Sequence, residues 1–224
     1  MNQTHRPAAL IFDLDGTLLD TEPLYTDAAQ KVMDPYGAVY TPELKRKSMG
    51  GDSRVSARLA IDHGQLPLTV DEYLSQREEH LLHLFPDAAE MPGAGSFIEQ
   101  LHGSDLPFGL ATSSHRHLCD LKLSRKPWGR HFRKIVCGDD PRIKQGKPAP
   151  DIFLICADEL GVDPSACIAF EDSPNGIEAA SKAGMKVIAI ASPYIERSEL
   201  AALATQVIDS YEELASLLNH WQAS

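Results

Sequence analysis

The chain has 224 residues, 43% hydrophobic and 24% charged, the balance of a globular protein of one or two domains with enough apolar residues for a real core. Its formal net charge of -11 argues against a nucleic-acid or anionic-membrane partner, since both require a basic face. It leaves room for an anionic small molecule, because a bound metal ion reverses the local field. No stretch approaches the roughly 18 consecutive apolar residues of a membrane span. Residues 1–7 are short and polar, with no apolar signal-peptide region. Cys119, Cys137, Cys156 and Cys167 form no C-x-x-C pair, so free buried thiols in a reducing cytoplasm are expected.

The first element is the apolar run Ala8-Ala9-Leu10-Ile11-Phe12, which reads as a buried parallel strand. It runs straight into Asp13-Leu14-Asp15-Gly16-Thr17-Leu18. Carboxylates at the C-terminal edge of a parallel strand stand where open α/β sheets bind ligands. Asp13 and Asp15 alternate with Leu14, so an extended backbone directs both carboxylates to one side. Like charges so placed repel unless a cation or a shared proton intervenes. An Asp-Gly turn after a strand is the alternative use of the same residues.

Residues 22–36 then show Leu24, Ala28, Val32 and Met33 at helical spacing. Thr41 is placed to cap a second helix holding Leu44 beside Lys45, Arg46 and Lys47. Ser48-Met49-Gly50-Gly51-Asp52-Ser53 is a loop signal. Val55, Leu59, Ala60 and Ile61 mark a third helix stopped near Gly64, and residues 69–85 a fourth. Strand and helix alternate from Pro92-Gly93 onward. The pattern predicts helices over 95–102, 117–123, 150–160, 174–183 and 211–221, and strands over 106–112, 134–137, 166–170, 186–191 and 206–208. Such alternation predicts an α/β protein with a parallel sheet covered on both faces. Residues 22–85 read as an all-helical domain inserted after the first strand of a domain formed by residues 1–21 and 86–224.

Three further motifs close later strands. Ala111-Thr112-Ser113-Ser114 offers hydroxyls and free amides to an anion, or simply caps a helix. Gly146-Lys147-Pro148-Ala149-Pro150-Asp151 holds one lysine in a stiff loop, where it suits a phosphate or faces solvent. Phe170-Glu171-Asp172-Ser173-Pro174-Asn175-Gly176 ends a second apolar strand on adjacent acids. Asp172 could cap the next helix, but acids on two strand ends also suit a hard cation such as Mg²⁺, which takes oxygen ligands.

In this order, the four motifs resemble those of the haloacid dehalogenase (HAD) superfamily, whose marks are Asp-x-Asp-Gly, a Thr/Ser strand end, a lysine and an acidic pair. The likeness covers nearly the whole chain and is strongest to the sugar-phosphate and nucleotide phosphatase branch. It implies a Rossmann-like parallel-sheet core with an inserted helical type-1 cap at residues 22–85. It further implies a Mg²⁺-dependent phosphatase acting on a small phosphorylated metabolite. By the same resemblance Asp13 is the nucleophile, and Asp15 protonates the leaving alcohol and then activates water. Mg²⁺ is held by the Asp13 side chain, the Asp15 carbonyl, Asp172 and Glu171, the last directly or through water. Thr112, Ser113 and Lys147 hold the phosphoryl oxygens. Asp15 and Thr17 are the phosphatase-like choices at their positions. Ser48-Met49-Gly50-Gly51 and Arg54 match the family's specificity loop, Arg54 serving either a second anionic group or solvent. Gly16 and Asp20-Thr21 lie on the hinge side. A hexose-phosphate mutase using the same Asp13 and Asp15 is the alternative, and a non-catalytic phosphate binder a third reading. Size and charge suit a monomer.

Overall fold

The computed structural model describes residues 6–48 and 53–223. The predicted loop residues Met49, Gly50, Gly51 and Asp52 lie outside the described residues. Strand β1 (Ala9–Phe12) is apolar and buried at every position. A strand with no polar face must be covered on both sides, and it lies inside a six-stranded sheet. Two short strands, β2 (Leu19–Asp20) and β3 (Ala89–Glu90), pair antiparallel as a separate ribbon, with Leu19 opposite Glu90. The large sheet adds β4 (Phe108–Thr112), β5 (Lys134–Cys137), β6 (Cys167–Glu171), β7 (Lys186–Ile190) and β8 (Gln206–Ile208). Its order is β5-β4-β1-β6-β7-β8, and every pairing in it is parallel.

The chain divides into two compact units, one made of the residues up to Asp20 together with those from Ala89 onward, the other of Thr21–Ala88. The second unit holds α1 (Glu22–Met33), α2 (Pro42–Ser48), α3 (Ser53–Gly64) and α4 (Val70–Leu84). Its own core is built on Val32, Met33, Leu44, Ala60, Ile61 and Tyr73. Helix α4 starts at a capping box. Thr69 accepts from the Glu72 amide, and the Glu72 carboxylate accepts from the Thr69 amide, so two otherwise orphaned donors are satisfied.

In the sheet unit the helices are α5 (Ala94–His102), α6 (Arg116–Leu123), α7 (Asp151–Leu160), α8 (Pro174–Lys182), α9 (Arg197–Leu203) and α10 (Ala215–Ala223). Among the described residues no helix is long and apolar enough to cross a membrane. Phe12 and Phe170 pair across β1 and β6 and stack with ring centroids 4.5 Å apart. Phe97, Phe108, Phe132 and Tyr211 also pack against Phe12. Burial of such a ring contributes about 1.5–3 kcal/mol. On the sheet's other face Ile11, Ala111, Val136, Phe153, Ile177 and Val187 form a second apolar layer.

The predicted elements recur with shifts of one or two residues at most ends. The closing segment opens as a 3₁₀ turn, Tyr211–Leu214, before α10. The ribbon β2–β3, the 3₁₀ turn Pro127–His131 and helix α9 were not expected from the pattern. Each is too short to show a clear apolar period.

Candidate active site

The strands β1 and β6 finish side by side, and the acids follow from that. Asp13 is the residue after β1, and its amide donates to the Phe170 carbonyl at 2.9 Å. Glu171 is the last residue of β6, and Asp172 comes next. Asp13, Glu171 and Asp172 each present a carboxylate oxygen, all within 4.8 Å of one another. Asp13 and Glu171 are 5% and 1% exposed. Lys147 reaches this group from its loop. Its Nζ donates to Asp13 Oδ1 at 2.6 Å, to Glu171 Oε1 at 2.6 Å and to the Ala111 carbonyl at 3.1 Å. The other Glu171 oxygen accepts from the amides of Asp172 and Ser173 and from Ser173 Oγ. Thr17 Oγ1 donates to Asp172 Oδ1 at 3.2 Å.

Two glycines make this packing possible. Gly16 has a φ of +76°, and a side chain there would collide with the Asp172 carboxylate. A side chain at Gly176, in the first turn of α8, would collide with the Glu171 carboxylate. Ser173 caps α8 by accepting from the Gly176 amide at 3.1 Å while its hydroxyl donates to Glu171.

Three acids crowded around one lysine leave an excess of negative charge in a poorly solvated place. Burial pushes the Asp13 carboxyl up to about 7; Glu171 and Asp15 push the same way, and Lys147 opposes them. Asp172 is held well above the ordinary carboxylate range by burial and by the charges of Glu171 and Asp13. For Lys147, burial works against the charged form, but Asp13 and Glu171 outweigh it and hold the ammonium well above its ordinary value. Lys147 also sits over the Phe153 ring, 5.0 Å from its centroid.

The Asp15 carboxylate lies outside this acidic group. Ser114 Oγ donates to Asp15 Oδ2 at 2.7 Å, and Lys122 Nζ donates to Asp15 Oδ1 at 2.5 Å and to Ser114 Oγ at 2.8 Å. Lys122 is completely buried and comes from α6. Sequence reading missed it and Ser114's part in this contact. A faint signal existed: Lys122 stands three residues after buried Cys119, on the inward side of a short amphipathic helix.

The remaining predicted residues separate. Thr112 is fully buried, and its Oγ1 accepts from the Ser114 amide at 3.1 Å. Ser113 is exposed and, with Gly138, Ile143, Gly146, Lys147 and Ile152, lines a cavity of about 90 Å³. Just past this turn, His115 and Arg116, which carry no predicted role, are exposed, with the Arg116 guanidinium on the Ile135 carbonyl. Arg54 forms an ion pair with Asp71 at 2.5 Å on the surface of the helical unit. In that unit a cavity of about 190 Å³ is lined by residues that include Tyr25, Tyr40, Lys45, Ser48 and Arg77. Among the described residues, Arg77 Nε and Ser48 Oγ are buried without a hydrogen-bond partner.

Strand-end acids, a lysine and a hydroxyl-bearing turn are thus gathered on the parallel sheet. The model of the haloacid dehalogenase-like hydrolases matches residues 10–190. A Drosophila melanogaster protein named probable pseudouridine-5'-phosphatase is 42% identical over 204 residues, 89% of this chain and 88% of the relative. A mitochondrial Arabidopsis thaliana protein named (DL)-glycerol-3-phosphatase 1 is 38% identical over 90% of this chain and 69% of its own length. Among solved structures, a Thermotoga maritima protein named for beta-phosphoglucomutase superposes with a TM-score of 0.81 at 31% identity, covering 94% of this chain and 98% of that one. The chain belongs to the haloacid dehalogenase-like hydrolase family, and it is a phosphoric monoester hydrolase.

Proposed function

We propose that this hydrolase is a Mg²⁺-dependent phosphatase that cleaves a small phosphorylated metabolite, a sugar phosphate or nucleotide-like monophosphate, through an aspartyl-phosphate on Asp13. The observation that carries the reading is the division of labour between two aspartates. Asp13 lies with Lys147, Glu171 and Asp172, whereas Asp15 is held apart by Ser114 and Lys122. Nucleophile and acid/base therefore have separate surroundings, as the two roles require.

The acidic group suits a divalent cation. With Asp13, Glu171 and Asp172 ionised and Lys147 charged, the cluster has two negative charges in excess. Asp13 and Asp172 would hold Mg²⁺ by their side chains and Asp15 by its main-chain carbonyl. Glu171 would act directly or through water, its oxygens also holding Lys147 and the Asp172 amide. Bound Mg²⁺ supplies charge that lets an anionic nucleophile meet an anionic phosphate.

In the first half-reaction an Asp13 oxygen attacks phosphorus while the ester P–O bond breaks, and Asp15 gives its proton to the departing alkoxide. In the second, Asp15 takes a proton from water as that water attacks the acyl-phosphate, releasing phosphate and restoring Asp13. Lys147, the Thr112-Ser113 turn and its amides hold the phosphoryl oxygens. The helical unit is proposed as the cap, at residues 22–85 by the sequence reading. Substrate choice is proposed to rest with this helical unit, which holds the Arg77-lined cavity. Four buried, unpaired cysteines favour a cytoplasmic protein, and a monomer is the proposed state.

The test is phosphate release from a panel of monoesters with Mg²⁺, starting with pseudouridine 5'-phosphate and glycerol 3-phosphate because relatives bear those names. If no phosphomonoester turned over, the reading would be lost. The mutase reading draws on the Thermotoga maritima structure. Conversion of β-glucose 1-phosphate to glucose 6-phosphate without free phosphate would favour it.

A further inference from the structure

Lys122 takes no chemical step in the scheme above, yet it is the most completely buried charged group near it, with no exposed surface. Taking an ammonium out of water costs several kcal/mol unless it is paired and hydrogen-bonded. A methionine would fill similar space without that cost. What Lys122 gains instead is a closed triangle: Nζ to Asp15 Oδ1 at 2.5 Å, Nζ to Ser114 Oγ at 2.8 Å, and Ser114 Oγ to Asp15 Oδ2 at 2.7 Å. Both Asp15 oxygens are therefore gripped, each by a different donor. The carboxylate plane is fixed by two residues from one segment, the turn after β4 and the helix α6 that follows it.

We propose that Lys122, with Ser114, is a positioning residue for Asp15, fixing the direction in which Asp15 delivers and collects its proton. The proposal rests on the acid/base reading of Asp15. A misdirected acid matters only when the leaving group needs a proton. An alkoxide does; a nitrophenolate leaves without one. The value of kcat/KM reports events through the first irreversible step, here cleavage of the ester bond, whereas kcat also includes hydrolysis of the acyl-phosphate, where Asp15 acts as base for every substrate.

The experiment compares Lys122→Met with the parent on an alkyl phosphate and on p-nitrophenyl phosphate, both with Mg²⁺. The expected result is a fall of about 10²-fold in kcat/KM for the alkyl ester, within the range assigned to positioned acid/base groups. For the aryl ester kcat/KM should stay within about threefold of the parent while kcat falls. Lys122→Arg should recover part of the alkyl activity. An equal loss of kcat/KM on both esters, or no loss on either, overturns the proposal. If the methionine variant does not fold, Ser114→Ala carries the same test, because it removes the grip on Oδ2 and leaves the lysine in place; a loss of kcat/KM confined to the alkyl ester supports the proposal and a uniform loss of kcat/KM overturns it. Asp15→Asn is measured alongside. If it shows no leaving-group dependence, the acid/base reading itself fails, which separates that outcome from a failure of Lys122 alone.

Discussion

Asp13 and Asp15 are two residues apart, yet their surroundings give them different chemistry. Asp13 is pushed up to about 7 chiefly by burial, and its direct cation is Lys147. Asp15 is engaged by Ser114 and Lys122. Alternation about Leu14 suggested a common direction for the two side chains; it could not show that each has its own lysine. Replacing Asp13 by Asn should abolish turnover and any acid-stable trapping of phosphate on the protein, while circular dichroism stays that of the parent. Mg²⁺-dependent activity above about a thousandth of the parent would contradict nucleophilic catalysis by Asp13. Gly176 offers a second test at this scale. A methyl group there meets the Glu171 carboxylate, which cannot retreat without breaking its bonds to Lys147 and Ser173. Gly176→Ala should lower kcat by about tenfold or more and weaken the dependence on Mg²⁺, measured by titrating the metal against rate.

The elements explain which parts of this were legible in sequence. Strands β1, β4 and β6 are short apolar runs that end on or run straight into polar residues, so strand and strand-end motif announce each other. Asp13, Thr112, Glu171 and Asp172 were readable for that reason, and Lys147 from the prolines that stiffen its loop. Lys122 was not, because a lysine inside an amphipathic helix ordinarily faces water. Arg54 was readable as a cation near a loop, but not its ion pair with Asp71, which joins α3 to α4. The cavity of the helical unit draws its lining from α1, α2, α3 and α4, and no linear motif brings Tyr25, Lys45 and Arg77 together. Arg77 lies 5.9 Å from the Tyr25 ring centroid, and its Nε lacks a hydrogen-bond partner among the described residues. If this cavity recognises the substrate beyond its phosphate, Arg77→Met should raise KM by about tenfold for the best natural ester with little change in kcat. Arg54→Met should leave both within about twofold, because an exposed ion pair contributes little. The opposite ranking, found by steady-state kinetics on the two variants, would return substrate recognition to Arg54.

At the scale of the whole molecule, the net charge of -11 and the buried acids of the sheet unit point to one thermodynamic consequence. Without metal, Asp13 and Asp172 both have carboxyls raised above their unfolded values, and burial is the leading cause in each. A carboxyl raised in the fold binds its proton more tightly there than in the unfolded chain. The stability it contributes is complete below the ordinary carboxylate range and is lost as the pH climbs through the raised value, about 7 for Asp13. Lys147 is raised as well, but it loses its contribution only far above that window. The metal-free protein should therefore melt at a higher temperature near pH 5 than near pH 8, by roughly 5 °C or more. Asp13→Asn should flatten the profile, since the amide does not ionise. Mg²⁺ should restore the melting temperature most at the alkaline end, where the carboxylates are ionised and the cation binds only the folded form. Calorimetry of the parent and of Asp13→Asn, each with chelator and with Mg²⁺, checks the sign. A metal-free profile that rises from pH 5 to pH 8 would show that these carboxylates are stabilised as anions by something other than a cation, and the proposed metal site would have to be abandoned.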